Sequence, residues 1–175
     1  SQSLHANAAE WYRVRKGNPS ESIEYIHHLH MSGDTEGLAE ALSEEGHSLV
    51  KAGHIELLGI LRVLEASLFG PRTRFVIHEL TGDILSIQGR WDEAEEQYDL
   101  ALPIAVKHKL TTPLARIYSS RADLAVKKGE MDKALSLHKK ALEMQIKLRD
   151  AQGAARSYNN MGYIFRRQRD NKRAI

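Results

Sequence analysis

A repeat of forty residues constrains the fold of this chain more than any other feature of its sequence. Small residues recur at this spacing in the order Gly82, Ala94 and Ala101, then Ala122, Ala134 and Ala141, then Gly162 and Ala174. A fixed period of about 20–50 residues is typical of supersecondary units that stack on their neighbours. Because such stacks usually bind partners along an extended surface, we expect a binding protein rather than an enzyme.

Composition narrows the class of protein further. No apolar run is long enough to cross a bilayer, and no charged segment followed by an apolar one opens the chain. Cysteine is absent, which excludes disulfides and thiol catalysis and favours a reducing, cytoplasmic compartment. Residues 1–70 carry 5 Lys/Arg against 10 Asp/Glu, whereas residues 71–175 carry 20 against 13. The first part is therefore acidic and the second part basic.

The periodicity of apolar residues predicts helix almost everywhere. Apolar side chains recur at steps of three and four residues, and no run of alternating β-formers is present. We predict about ten helices, near 3–16, 19–32, 35–52, 54–68, 73–88, 92–109, 113–128, 132–150 and 154–168, with one more opening at 171. Asn18 and Pro19 offer a cap and a first helical residue to the second helix. Pro103 lies inside the sixth helix, where we expect a kink because proline removes a backbone hydrogen bond.

Residues 71–175 resemble tetratricopeptide repeats of the longer, forty-residue form. That family places small residues where the two helices of a pair cross. Gly82, Ala122 and Gly162 match this position in the first helices, and Ala94, Ala134 and Ala174 match it in the second helices. The resemblance implies an all-α fold, a right-handed superhelix of antiparallel helix pairs. The third repeat ends at Ile175 with its second helix incomplete, so we expect a longer parent protein.

Residues 1–70 resemble a different helical region. The segments Ala8-Ala9-Glu10-Trp11-Tyr12 and Tyr25-Ile26-His27-His28, with the Gly33-Asp34 turn, are similar to the helical arm of signal-transduction ATPases with numerous domains. The maltose-regulon activators belong to that class. The resemblance implies two helix pairs in residues 1–70 that lead into a repeat sensor, with the ATPase and a DNA-binding domain outside these residues.

The resemblance to tetratricopeptide repeats also implies a ligand groove lined by first helices. Its positions in the first repeat correspond to Val76, Glu79, Asp83, Ser86 and Ile87. Those in the second and third repeats correspond to Arg116, Ser119, Asp123, Lys127, Arg156, Asn159, Tyr163, Arg166 and Arg167. Arginine forks and an asparagine amide suit carboxylates, phosphates or an extended peptide backbone. A solvated face whose charges pair across repeats is the alternative.

Other chemistries have weaker support in the sequence. The basic run at residues 166–173 favours a charged helix end over a nucleic-acid site, because no aromatic platform joins Tyr163. Nine histidines show no metal-ligand spacing, and no phosphate-binding loop or catalytic pair is present. We therefore predict no metal, no cofactor and no enzymatic activity.

The sequence thus favours a helical-repeat sensor module that binds a protein, a peptide or a small-molecule inducer. It would be part of a larger signalling ATPase or transcriptional regulator. A free-standing tetratricopeptide adaptor is the alternative. The open third repeat also offers an apolar edge for self-association.

Overall fold

The structure, a computed structural model, describes residues 1–13, 18–65 and 69–173, and all regular structure in them is helical. This confirms the predicted all-α, tetratricopeptide-like class, and the handedness of a superhelix stays a prediction. The helices are α1 Gln2–Arg13, α2 Pro19–Ser32, α3 Thr35–Ala41, a π-helical turn Leu42–Gly46, α4 His47–Lys51, α5 Leu57–Glu65, α6 Pro71–Ile87, α7 Trp91–Lys107, α8 Thr111–Lys128, α9 Met131–Lys147 and α10 Ala151–Arg173. None of the helices in these ranges is long and apolar enough to cross a membrane.

Local sequence explains several helix ends. The Asn18 side chain accepts a hydrogen bond from the Ser20 N–H, and Pro19 takes the first helical position, as predicted. Gly33 and Gly129 end α2 and α8 in the left-handed conformation that glycine favours. The ends of α7 and α9 are different, because there Lys109 and Arg149 adopt positive φ, at 53° and 57°. These two turns, forty residues apart, belong to the repeat although no glycine marks them.

Residues 1–88 form one compact unit, and large aliphatic side chains are buried in it. Its fully buried side chains include Ile26, Leu38, Leu42, Leu57, Leu61, Leu64, Leu80 and Ile84. Helix α6 packs against α5 and against the helical segment 35–51, whose middle is the π-helical turn. Gly46 ends that turn, and a Cβ atom there would lie 2.5 Å from Leu80 Cδ1. A larger residue at position 46 would therefore require the Leu80 side chain to move.

Residues 89–175 form the second compact unit, in which α9 packs against both α8 and α10. The small residues of the repeat are buried as predicted: Ala94, Ala101, Ala122, Ala134 and Ala141 are all fully inaccessible. Ala125, Ala134 and Ile164 form a buried cluster that joins α8, α9 and α10. The short side chains thus lie where these helices meet. Helix α7 continues through Pro103 to Lys107.

Three predicted boundaries are wrong. The ninth helix does not end near 168 with another opening at 171, because α10 continues to Arg173 and Arg169 offers no break. Gly153, which falls between the helices predicted at 132–150 and 154–168, lies instead in the first turn of α10, where its N–H donates to Asp150 Oδ1. Helix α5 begins at Leu57 rather than 54, after Gly53 adopts positive φ. Ala174 and the predicted helix ends at 14–16 and 66–68 fall outside the described residues.

The predicted division of the chain at residue 70 stays a prediction. The compact units of the structure divide between Gln88 and Gly89, so that α6 belongs to the first unit.

Candidate functional site

Two helices of the second unit present the predicted ligand surface, which we call the α8–α10 surface. It consists of Arg116, Ser119, Asp123 and Lys127 on α8, and Arg156, Asn159, Tyr163, Arg166 and Arg167 on α10. Asn160 Nδ2 donates to Asp123 Oδ1 at 2.8 Å, which joins the two helices directly. The structure therefore brings Asp123, one of the predicted residues of α8, against α10. Their role as ligand contacts stays a prediction.

The α10 side of this surface is open to solvent. Arg156, Asn159, Tyr163, Arg166 and Arg167 are all exposed. Arg167 Nη1 donates to the Tyr163 hydroxyl oxygen at 3.1 Å, and its guanidinium lies 5.7 Å from the centroid of the same ring. Such an arrangement orients a planar cation beside an aromatic face. The α8 side is less accessible, since Arg116 and Ser119 are half-buried whereas Asp123 and Lys127 are exposed.

Ser119 takes part in a polar chain inside the unit. Gln145 Nε2 donates to Ser119 Oγ at 3.2 Å, and Ser157 Oγ donates to Gln145 Oε1 at 2.8 Å. Gln145 and Ser157 are buried, so the chain connects α8, α9 and α10 beneath the surface. Buried polar groups that satisfy one another fix the register of the helices that carry them. The repeat pattern predicted Ser119 as a ligand contact and gave no indication of the hydrogen bonds that link it to Gln145 and Ser157.

A fully buried histidine lies next to the Asp123–Asn160 bond. His138 Nε2 is 3.4 Å from Asp123 Oδ1, and neither ring nitrogen has a hydrogen-bond partner. Sequence analysis missed this residue, although the repeat itself held the signal. His138 follows Ala134 by four residues, as Tyr98 follows Ala94, and Tyr98 is also buried. This position of the repeat therefore accommodates a buried ring, which is tyrosine in one repeat and histidine in the next.

The groove positions predicted in the first repeat need correction. Val76, Glu79 and Ser86 are buried rather than lining an open groove. Glu79 lies 3.0 Å from His47 Nε2, at the start of α4. The segment that carries α3 and α4 packs on α6, and the repeat pattern gave no indication of it.

A network of charges clamps the three helices α7, α8 and α9 of the second unit. Lys128 Nζ donates to Glu95 Oε2 at 2.6 Å and to Asp92 Oδ1 at 2.9 Å, and Lys133 Nζ donates to Glu95 Oε1 at 2.8 Å. The hydrogen bonds from Lys128 and Lys133 lower the pKa of Glu95 to about 2. Arg121 Nη1 adds a bond of 2.6 Å to Asp99. These contacts have a structural explanation, so we do not assign them to ligand binding.

The remaining surface of α10 is partly apolar. Tyr158 and Phe165 are 58% and 50% exposed, and a Cβ atom on Gly162 would meet nothing within 4 Å. Gly162 thus matches Ala122 in sequence but not in environment, since Ala122 is fully buried. Within the described ranges as a whole, no group of three or more His, Asp or Glu side chains is placed to hold a metal ion.

Comparison with known proteins agrees with this geometry. Residues 113–175 match the family model of the tetratricopeptide repeat. No curated protein matches the chain. The chain is similar in structure to BtubC (BKLC) from P. vanneervenii, known from a crystal structure, with a TM-score of 0.57 and 24% sequence identity over 99% of this chain and 67% of that one. At that identity the likeness bears on the fold alone. Residues 113–175 are therefore similar in sequence to the tetratricopeptide repeat, and the chain as a whole has an all-α fold.

Proposed function

We propose that the chain is a helical-repeat module that binds a protein or peptide through its α8–α10 surface. The observation that carries the proposal is the Asp123–Asn160 bond, which links α8 to α10. The exposed polar groups of α10 then follow one another along a single helix. Such a row of donors matches the repeating acceptors of an extended chain.

The chemistry of the surface favours an acidic ligand or the main chain of a peptide. Arg156, Arg166 and Arg167 offer planar forks of N–H donors, which suit carboxylates. Asn159 adds an exposed amide that can donate to a carbonyl and accept from an N–H. Tyr163 supplies an aromatic face beside these groups.

A selection experiment tests the surface without assuming a particular ligand. Random peptides displayed on phage are selected against the immobilised chain, and the best binder is labelled and titrated by fluorescence anisotropy. The double variant Arg156→Ala with Asn159→Ala should weaken binding at least about tenfold, or 1.4 kcal/mol. Ser136→Ala with Lys139→Ala is the matched control, because both residues are exposed on α9 at the same three-residue spacing. Equal affinity of both double variants would remove the surface from consideration.

We also propose that residues 1–70 are the arm of a signal-transduction ATPase of the transcriptional-regulator type, acting in the cytoplasm. A ligand, whether a protein, a peptide or a small-molecule inducer, then shifts the module between two arrangements by its differential affinity for them. The support is the resemblance of the segments around Trp11 and Tyr25. A gene product with a phosphate-binding loop and a DNA-binding domain upstream would favour this origin, and one without them would favour the free-standing adaptor.

Self-association through the apolar face of α10 is part of the proposal. Tyr158 and Phe165 are large exposed rings on either side of Gly162, a position that lets helices approach closely. Light scattering across a range of concentrations should detect an oligomer, and Phe165→Glu should abolish it. A monomer at every concentration would contradict this part alone.

The proposed module performs no catalysis. A nucleotide-hydrolysis assay on the chain should give no turnover above the buffer, and steady turnover would overturn this assignment.

A further inference from the structure

The hairpin of α1 and α2 contains a cluster of histidines outside the proposed ligand surface. His5 on α1 and His28 on α2 lie with their Nδ1 atoms 2.8 Å apart. The Tyr12 ring stacks on His28 with centroids 5.6 Å apart and planes at 18°. His27 adds a third imidazole, with its centroid 5.6 Å from that of His28. Three imidazoles and a phenol thus meet where the two helices join.

A hydrogen bond between two Nδ1 atoms depends on their protonation. One ring must donate its N–H and the other must accept with a lone pair. A first added proton binds to Nε2 of the donor ring, and the hydrogen bond between the two Nδ1 atoms is kept. A second proton occupies the accepting lone pair, so two N–H groups and two positive charges then face each other. The contact is therefore attractive with up to one added proton and repulsive with two.

The surroundings of His28 oppose its protonation. Burial lowers the pKa of His28, the neighbouring His5 and His27 lower it further, and Glu24 acts in the opposite direction. Glu36 and Glu40 of α3 and Arg62 of α5 are the described titratable groups on the other helices packed against α2, and they do not act on His28. Burial and His27 likewise lower the pKa of His30.

Within the described residues, α2 is the element that holds α1 in place. The extensive packing of α1 within the described residues is with α2 alone, and Ala9 is its one buried residue. A free helix of 12 residues is marginal in water, so α1 loses its structure once it leaves α2. Tyr25 and Leu29, which lie beside Ala6 and Ala9, would then gain exposure to solvent.

We propose that His5 and His28 form an acid-sensitive latch, which holds α1 on α2 near neutral pH and releases it when both imidazoles are protonated. The direction of the pH dependence follows from the linkage between proton binding and folding. A histidine whose pKa is lower in the folded state stabilises that state above its ordinary value near 6.5, and this stabilisation is lost as the pH falls below that value. When α1 leaves, Tyr25 and Leu29 become exposed and form an apolar surface on the first unit at acid pH. This surface is separate from the α8–α10 surface of the second unit.

Trp11 reports on the latch, because its ring meets the Tyr12 ring edge-on with centroids 4.7 Å apart. In the full chain carrying Trp91→Phe, the fluorescence of Trp11 is followed from about pH 7.5 to about pH 5, together with far-UV circular dichroism. We expect a fluorescence transition below about pH 6.5, with a loss of helical signal no larger than a helix of 12 residues provides. Absence of the transition, or loss of most of the helical signal at the same pH, would overturn the latch.

His5→Asn removes the second charge while keeping a polar group that can donate or accept. The transition should disappear in this variant, because an amide can face both neutral and protonated His28. His54→Asn is the matched control, since His54 bonds the exposed Glu56 through its own Nδ1 at 2.7 Å and should leave the transition unchanged. A transition that persists in His5→Asn, or that disappears equally in His54→Asn, would contradict the assignment to this pair.

Discussion

The two compact units hold their helices together by different means. In residues 1–88 large aliphatic side chains fill the space between helices, and one of them, Leu80, lies against a glycine in a π-helical turn. In residues 89–175 alanines let α8 and α9 approach, and polar links such as Gln145 and Glu95 tie neighbouring helices together. The charge differs as well: the first unit carries 7 Lys/Arg against 12 Asp/Glu, and the second 18 against 11.

This difference explains why the forty-residue repeat runs through the second unit but includes only α6 of the first. A small residue at a crossing must recur with each helix pair, so its spacing survives in the sequence. An aliphatic core tolerates exchange of one large side chain for another if the total volume is kept, so it leaves no fixed period. We expect the stability of the first unit to fall most when a buried side chain is shortened, and that of the second unit to fall most when a polar partner is removed. Trp11 and Trp91 lie in different units, so variants with a single tryptophan report on each unit separately.

The largest effect should come from a cavity in the aliphatic core. Leu42→Ala removes a fully buried side chain from the π-helical turn and should lower the free energy of unfolding by about 2–5 kcal/mol. Urea unfolding followed through Trp11 in a Trp91→Phe background measures the loss. Leu4→Ala is the matched control, because Leu4 is 68% exposed and its loss should change stability by less than about 0.5 kcal/mol. Similar values for both variants would contradict the description of this core.

Close approach at residue 46 should give the next largest effect. Gly46→Ala places a methyl group against Leu80 and should destabilise the first unit by about 1–3 kcal/mol. Gly59→Ala in α5 meets nothing within 4 Å and should instead stabilise by about 0.5–1 kcal/mol, because alanine favours helix. Combining Gly46→Ala with Leu80→Ala should cost less than the sum of the single changes. Strict additivity in chemical denaturation would argue against the contact.

The Glu95 carboxylate at the centre of the charge clamp should contribute about 1 kcal/mol, since it is only partly shielded from solvent. Because the pKa of Glu95 is lowered from 4.5 to about 2, its contribution is present above pH 4.5 and is lost as the pH falls from there towards 2. Glu95→Gln should therefore flatten the pH dependence of stability in that window, measured through Trp91 in a Trp11→Phe background. Glu96→Gln, on the exposed neighbour, should retain the slope of the parent chain. The same slope in Glu95→Gln would refute the clamp.

The smallest effect, and one of opposite sign, should come from His138. His138→Phe removes two buried ring nitrogens that lack hydrogen-bond partners, and Tyr98 shows that the repeat accommodates a large ring there. We expect no loss of stability and a gain of up to about 1 kcal/mol, because an unpaired buried polar group is costly. Thermal unfolding compares this variant with the parent chain. A marked loss would mean that the contact of His138 with Asp123 stabilises the unit.

Much of the fold could be predicted from local sequence, because caps and turn residues act within a few positions. Asn18 and Gly129 begin or end helices where expected, and the buried alanines lie at the predicted crossings. The site was predictable only in part. The repeat assigned residues of α8 and α10 to one surface, but it did not reveal that Asn160 binds Asp123 or that Glu79 is buried against His47.

The sequence alone determined that the chain is helical, that residues from Gly82 onward repeat every forty residues, and that the alanines at positions 94, 101, 122, 134 and 141 lie between helices. Apolar periodicity and helix propensity are properties of short segments, so each repeat has them independently of the others. Only the tertiary structure decided which polar side chains are used internally, such as Ser119 and Glu79, and which remain exposed, such as Arg156 and Asn159. It also brought His5 against His28 from separate helices. Such pairings depend on the distance between atoms far apart along the chain, and no spacing within one helix encodes that distance.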